Sequence, residues 1–234
     1  MHDFFKTKDL GQLKYFVGLE VARTAADLTL CQRKYALDIL EDTGFTESKP
    51  AKTPMETKIK LGSVSADPLP DKGQYRRLIG KLPYLTATRP DIAFDVQQLS
   101  QFLYSPNEHH LTAAHRVLRY LKGAPGKGLF FSNTASLHIS GYSDSDWAGC
   151  HTTRKSITGF CIFIGSSLVC WKAKKQTTIS CSSSEAEFMA LAAITCELQW
   201  LAYLYKDIQL HSDKAAIVYC DNNTAIDYTE SNLP

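Results

Sequence analysis

Three carboxylates stand where a chain can use them for chemistry. Asp144 closes the alternating stretch SLHISGYSD (136–144), with Asp146 two residues on beside Trp147. Glu187 lies in SSSEAEFMAL (182–191), and Asp221 follows the apolar run AAIVYC. Carboxylates brought to one point repel one another unless a divalent cation sits among them. Oxygen-only ligation suits Mg²⁺ or Mn²⁺ rather than zinc. Two such ions about 4 Å apart serve in-line attack of water on a phosphodiester.

Each acid also has a plainer use. Glu187 stands three residues after Ser184, the spacing of a capping box. Asp221, in DNNT, suits a turn that caps the next segment, and Asp144 with Asp146 suits an Asx-turn. Convergence therefore depends on the elements that carry the three acids. SLHISGYSD reads as a strand, and ITGFCIFIG and LVCWKAK as a hairpin closed by SS after Gly165. SSEAEFMALAAITCELQWLAYLYKDI is a long, almost wholly apolar helix, and AAIVYCD is a strand expected to be covered on both faces. The order is β-β-β-α-β. A helix of that length is the natural crossover that lays the last strand parallel to the first. Asp144 and Asp221 then share one end of the sheet, and Glu187 opens the helix packed on it.

The first half differs in character. LKYFVGLEVAR and LTLCQ read as a strand pair around the turn TAAD. A helix follows through RKYALDILEDTGF, with Tyr35, Ile39 and Leu40 on one face and Gly44 as its stop. GSVSADPLPDKGQ (62–74) is an exposed loop. Three helical stretches come next. YRRLIGKLPYLTA is interrupted by Pro83, and RPDIAFDVQQLSQFL starts on Pro90 and Asp91. In SPNEHHLTAAHRVLRYLKG, Ser105 and Glu108 have capping-box spacing, Pro106 suits the first helical position and Gly123 a C′ stop. Leu111, Ala114, Leu118 and Leu121 make its apolar stripe. Arg116, Arg119 and Lys122 follow at three-residue steps, a stripe suited either to a phosphate backbone or to a solvated surface. KAKKQ supplies a second basic patch with Lys172, Lys174 and Lys175.

Composition sets the frame. The chain has 234 residues and a net charge of +2. Residues 1–130 hold 19 Lys/Arg against 14 Asp/Glu, and residues 131–234 hold 7 against 10. A basic part joined to an acidic one fits a polyanion-holding region beside a cation-holding one. No uninterrupted apolar run approaches the roughly 18 residues that span a bilayer, and the start, MHDFFKTKDLG, lacks a signal-peptide pattern. No membrane partner is expected. The seven cysteines form no Cys-x-x-Cys pair and no zinc spacing, which implies a reducing, intracellular setting, cytoplasmic or nuclear. Gly, Pro, Ser and Asn cluster in KGAPGKGLFFSNTAS (122–136), which marks a boundary: 1–123, a linker at 124–131, and 132–234.

These stretches carry a family resemblance. KDLGQLKYFVGLEV, CQRKYALDIL, KPAKTPM, YRRLIGKLPYLTATRPDIAFDVQQLSQF, HRVLRYLKG, GYSDSDWAGC, TRKSITGF, CWKAKKQTTISCSSSEAEFMAL and CDNNTAI follow one another over nearly the whole chain. Together they resemble the Pol polyprotein of Ty1/copia-type retrotransposons, at the end of reverse transcriptase and the ribonuclease H (RNase H) domain after it. The resemblance implies a mixed α/β fold (α+β). Residues 1–123 would be a mostly helical palm-end or thumb-like segment, and residues 132–234 an RNase H-like sheet without its last strand and helix. It implies divalent-metal-dependent hydrolysis of the RNA strand of RNA–DNA hybrids, with Asp144, Glu187 and Asp221 as catalytic metal ligands for two Mg²⁺ or Mn²⁺ ions. Asp146 has at most a supporting role there. The remainder of the Pol polyprotein is the implied partner. The family's Tyr-x-Asp-Asp motif does not occur here, so no polymerase activity is expected. The family's fourth carboxylate falls past Pro234, so weak or lost nuclease activity is expected. The alternative is a non-catalytic retroelement remnant or a nucleic-acid-binding module.

Overall fold

The computed structural model describes residues 11–56, 59, 61–62, 67–134, 136–210 and 214–231; positions 63–66 of the loop expected over 62–74 lie outside them. The chain begins with three antiparallel strands, β1 (Tyr15–Phe16), β2 (Leu19–Arg23) and β3 (Asp27–Cys31). The expected strand pair is β2 with β3, turned at Thr24, whose hydroxyl accepts from the Asp27 N–H at 3.0 Å. Helix α1 (Arg33–Asp42) ends where Gly44 adopts φ +73°. The Phe45 N–H returns to the Leu40 carbonyl at 2.8 Å and the Gly44 N–H to Glu41 at 3.0 Å, the paired bonds of a Schellman stop. Leu129–Ser132, a segment that overlaps the expected linker, forms β4 and pairs with β3. Gly128 permits that approach, because a Cβ there would lie 2.0 Å from the Leu30 carbonyl oxygen.

Three more helices follow α1 before the chain reaches β4. Helix α2 (Lys72–Leu85) is capped by Asp71, so the preceding loop is shorter than its composition suggested. Pro83 does not interrupt it. It stands in the last turn between the buried Leu82 and Leu85, where packing holds the backbone helical despite the lost donor. A 3-10 turn (Pro90–Ile92) leads into α3 (Ala93–Ser100).

Helix α4 (Glu108–Gly123) starts differently from the Ser105–Glu108 expectation. Asn107 is the cap: its side chain accepts from the His110 N–H at 3.1 Å, and its own N–H donates to His110 Nδ1 at 3.0 Å. The His110 ring is locked there, stacked 3.9 Å from Phe102 with Nε2 3.0 Å from the Leu61 carbonyl. Pro106 therefore precedes the cap, and Gly123 is the last helical residue, with Ala124 closing the helix. Leu118 and Leu121 of the expected stripe are fully buried, packed with Ile39, Leu40, Tyr75, Leu82 and Leu99. Arg89, buried beside this core, grips Asp91 at 2.9 and 3.0 Å and the Ala124 carbonyl at 2.9 Å.

The second sheet has the order β7-β6-β5-β8, from β5 (Ile139–Asp146), β6 (Ile157–Ile164), β7 (Ser167–Lys175) and β8 (Ile217–Tyr219). Helix α5 (Ser183–Asp207) crosses between β7 and β8, and β8 lies parallel to β5 as the element order predicts. Helix α6 (Asn223–Ser231) follows. Along β5 the side chains alternate. Ile139, Gly141, Ser143 and Ser145 are buried on the α5 side, while Tyr142, Asp144 and Asp146 are exposed on the other. Gly141 admits α5 closely, since a Cβ there would lie 2.6 Å from Ile194 Cδ1. Ile139, Phe160, Ile162, Ile194, Leu201 and Tyr205 complete this core. By length and composition alone α5 could cross a bilayer; its inner face packs on the sheet as a core helix does. One expectation fails at β8: it is not covered on both faces. It is the edge strand, and Ile217 and Tyr219 are exposed. An apolar run of strand length does not distinguish a central strand from an edge.

Candidate functional site

Glu187 and Asp221 meet in a notch at the edge of the second sheet, with Asp144 close by on β5. Pairing of β5 with β8 stops at Tyr142–Tyr219, whereas β5 runs on to Asp146. The Tyr142 and Tyr219 rings stack with centroids 4.9 Å apart. The residues two further along each segment, Asp144 and Asp221, follow at that same end.

Glu187 comes to the notch from α5. The capping role that its spacing from Ser184 suggested belongs to other residues. Ser182 accepts from the Glu185 N–H at 3.1 Å, and Glu185 accepts from the Cys181 N–H at 2.7 Å. With the helix start satisfied one register earlier, Glu187 turns inward and is 6 % exposed. Its Oε1 accepts from the Ser145 N–H at 3.1 Å, and its Oε2 is 4.0 Å from Cys220 Sγ. The ligand atoms of Glu187, Cys220 and Asp221 all lie within 4.8 Å of one another, and Asp144 is not one of that compact group.

Electrostatics nevertheless ties Asp144 to the group. Burial raises the Glu187 carboxyl above its ordinary pKa, the Ser145 N–H opposes this, and the charges of Asp144 and Asp221 raise it further. Burial likewise raises the Cys220 thiol, with Glu187, Asp221 and Asp144 adding to the effect. A buried carboxylate repelled by two neighbours binds either a proton or a cation more tightly. The oxygen donors suit a hard divalent ion, and the thiol beside them is a softer donor. Cys220 is the residue that sequence reasoning missed; its adjacency to Asp221 was the available signal.

The scaffold around the notch is tied down. Gln176 Nε2 donates to Ser145 Oγ at 3.3 Å, Thr158 Oγ1 at 3.1 Å and the Ala186 carbonyl at 3.0 Å, which fixes the start of α5 on β5. Trp147 Nε1 donates to the Ser180 carbonyl at 3.1 Å. Asp146 is directed elsewhere, into a cavity of about 430 Å³ that Asp95 and Cys150 also line.

The basic residues are largely engaged inside the chain. Arg116 binds the Thr53 carbonyl at 3.2 Å and Glu56 at 3.0 Å, Arg119 binds the Lys49 carbonyl at 2.8 Å, and Lys122 binds the Thr46 carbonyl. The stripe on α4 thus clasps the segment 46–56. Lys172 pairs with Glu197 at 3.2 Å and lies over the Phe160 ring, and Lys175 donates to Gln101 at 2.7 Å. Lys174 is exposed and has no ion-pair partner among the described residues.

Comparison with known proteins gives a consistent neighbourhood. The profile of the family described as reverse transcriptase (RNA-dependent DNA polymerase) matches residues 1–57. The chain is 40% identical over 218 residues to the retrovirus-related Pol polyprotein from transposon RE1 of Arabidopsis thaliana, covering 93% of this chain and 15% of that protein. It is 34% identical over 238 residues to the corresponding polyprotein from transposon TNT 1-94 of Nicotiana tabacum, covering 98% and 18%. An uncharacterized mitochondrial protein of Arabidopsis thaliana is 42% identical over 196 residues, covering 84% of this chain and 81% of its own length. The chain therefore spans less than a fifth of the polyproteins it matches. No solved structure matches it.

Proposed function

This chain belongs to the Pol polyproteins of copia-type retrotransposons, and on that premise we propose that residues 132–234 are an RNase H-type nuclease unit. In this reading the unit hydrolyses the RNA strand of RNA–DNA hybrids, and residues 1–123 are the C-terminal part of the reverse transcriptase. The observation that carries it is the buried Glu187 carboxylate, coupled to Asp144 and Asp221 at the end of a parallel strand pair. Asp144, Glu187 and Asp221 are the residues that would hold Mg²⁺ or Mn²⁺. Such a bound ion supplies a polarised phosphoryl oxygen and a water of lowered pKa.

The chain's own groups prepare that chemistry. The Ser145 N–H fixes one oxygen of Glu187 and leaves the other turned to the notch. Asp221 and Asp144 are exposed and open to a backbone approaching the sheet edge. Gln176 holds the start of α5 against β5, which keeps the Glu187 backbone over the notch.

The test is cleavage of a labelled RNA–DNA hybrid in Mg²⁺ or Mn²⁺. Cleavage that Asp144→Asn and Glu187→Gln each abolish is the expected result. A chain that leaves the hybrid intact refutes the nuclease reading, and equal cleavage by the variants refutes the residue assignment.

A further inference from the structure

A second cleft opens beside Asp144, on the face of the second sheet turned away from α5. It has a volume of about 350 Å³ and lies between that sheet and the start of α3. Its floor is Gly159 and Ala173, which stand in register across the sheet from Asp144. Only the Ala173 methyl rises from that floor. A Cβ placed at Gly159 would meet only the Asp144 carbonyl within 4 Å, at 4.0 Å.

The sides are aromatic: Phe94 from α3, Tyr142 from β5 and Trp171 from β7. Two of these rings are held in place. Trp171 donates its indole N–H to the Thr86 carbonyl at 3.0 Å, and Tyr142 is backed by Tyr219. Phe94 and Tyr142 are still 44 % and 49 % exposed.

A flat floor that carries a single methyl, bounded by rings, has the shape of a planar ring of ligand. The Asp144 carboxylate at its end disfavours an anion in the slot itself. The ligand must therefore present a neutral, flat group here and carry any phosphate outside. We propose that this cleft is a nucleobase subsite, which stacks one unpaired base of the nucleic-acid strand presented to Asp144. Every unpaired base has a free π-face, so the subsite is tolerant of sequence and acts by placement. The assignment rests on the reading of Asp144 as part of a nuclease centre. It adds Phe94, Tyr142 and Trp171 as positioning residues, and through Phe94 it makes the first half of the chain part of the substrate site.

The experiment uses the full chain and a short fluorescent RNA–DNA hybrid with a single-stranded overhang, with binding read by anisotropy in EDTA and cleavage read separately in Mg²⁺. Phe94→Ala removes an exposed wall and leaves the core intact, while Phe94→Trp keeps a ring. Phe94→Ala is expected to weaken binding at least about five-fold, the equivalent of ~1 kcal/mol of base stacking, with Phe94→Trp close to the parent. Gly159→Val, which fills the slot, should weaken it similarly. Unchanged affinity in Phe94→Ala, equal loss in Phe94→Trp, or a parent that binds no hybrid overturns the subsite. A parent that cuts the hybrid while Phe94→Ala binds and cuts as well as the parent keeps the nuclease reading and removes the subsite. Binding that depends on the Phe94 ring without any cleavage does the reverse.

Discussion

Asp95 offers a quantitative test of how this fold treats a buried charge. It sits on α3, 7 % exposed, lining the cavity of about 430 Å³ beside Asp146. Among the described residues no other side chain donates to its carboxylate. Burial pushes its pKa from 3.8 up to about 6, its own N–H opposes the rise, and the Asp91 charge adds a smaller push upward. The folded chain thus holds this proton more tightly than the unfolded chain does. Stability is full below the unfolded pKa, falls as pH rises through roughly 4 to 6, and stays reduced above. The shift is about two units at 1.36 kcal/mol each, or about 3 kcal/mol at neutral pH. Asp95→Asn keeps the volume and removes the charge. Measured against the parent by urea unfolding across the pH range, the variant should show a stability gap that opens between about pH 4 and 6 and levels near 3 kcal/mol. In a chain of this size that equals a rise in Tm of about 6–12 °C at neutral pH. A gap independent of pH, or an Asn variant less stable at pH 8 than at pH 4, would refute the reasoning.

Other perturbations give sharp expectations. Asp91→Asn leaves the buried Arg89 guanidinium without its countercharge, and chemical denaturation should show a loss of about 3–5 kcal/mol. Burial opposes ionisation of Asp91, but hydrogen bonds from Arg89 and Tyr120 hold its carboxyl well below the usual range. The stabilisation it gives is therefore present above about pH 4 and fades in stronger acid. Gly128→Ala drives a methyl into the Leu30 carbonyl and should cost at least about 2 kcal/mol, seen as a lowered melting temperature with β4 detached from β3. Added Mg²⁺ should raise the parent's Tm in a dose-dependent way, by mass action at the notch, and chelation should reverse it. Asp144→Asn combined with Glu187→Gln should remove that response.

Much of the second half was legible because its elements are separated by clear turn chemistry and differ in period. The β-β-β-α-β order and one parallel pairing were enough to bring Asp144 and Asp221 to a common end. What was illegible depended on contacts distant in sequence. Ser105–Glu108 and Asn107–His110 both have cap spacing. Only the packing of Phe102 and Leu61 around the His110 ring selects the second. Likewise SSSEAE offers two capping registers, and the structure uses Ser182 with Glu185 because Glu187 finds the Ser145 N–H on β5. The basic stripe on α4 was visible as a pattern, but its carbonyl partners at Thr46, Lys49 and Thr53 lie some sixty to eighty residues away in the chain. Cys220 was one of seven cysteines without zinc spacing, and only the notch placed it against Glu187.

The bond from the Ser145 N–H to Glu187 has one more consequence. Past Tyr142, β5 has no neighbour on its β8 side among the described residues, so it presents a length of open sheet edge. Open edges invite strands from other molecules. Glu187 occupies the Ser145 donor and sets a negative charge in the path of an incoming strand, as a gatekeeper does. Replacing it with alanine should therefore promote self-association through β5, apart from any effect on catalysis. Light scattering at rising concentration would register that change before any nuclease assay was run.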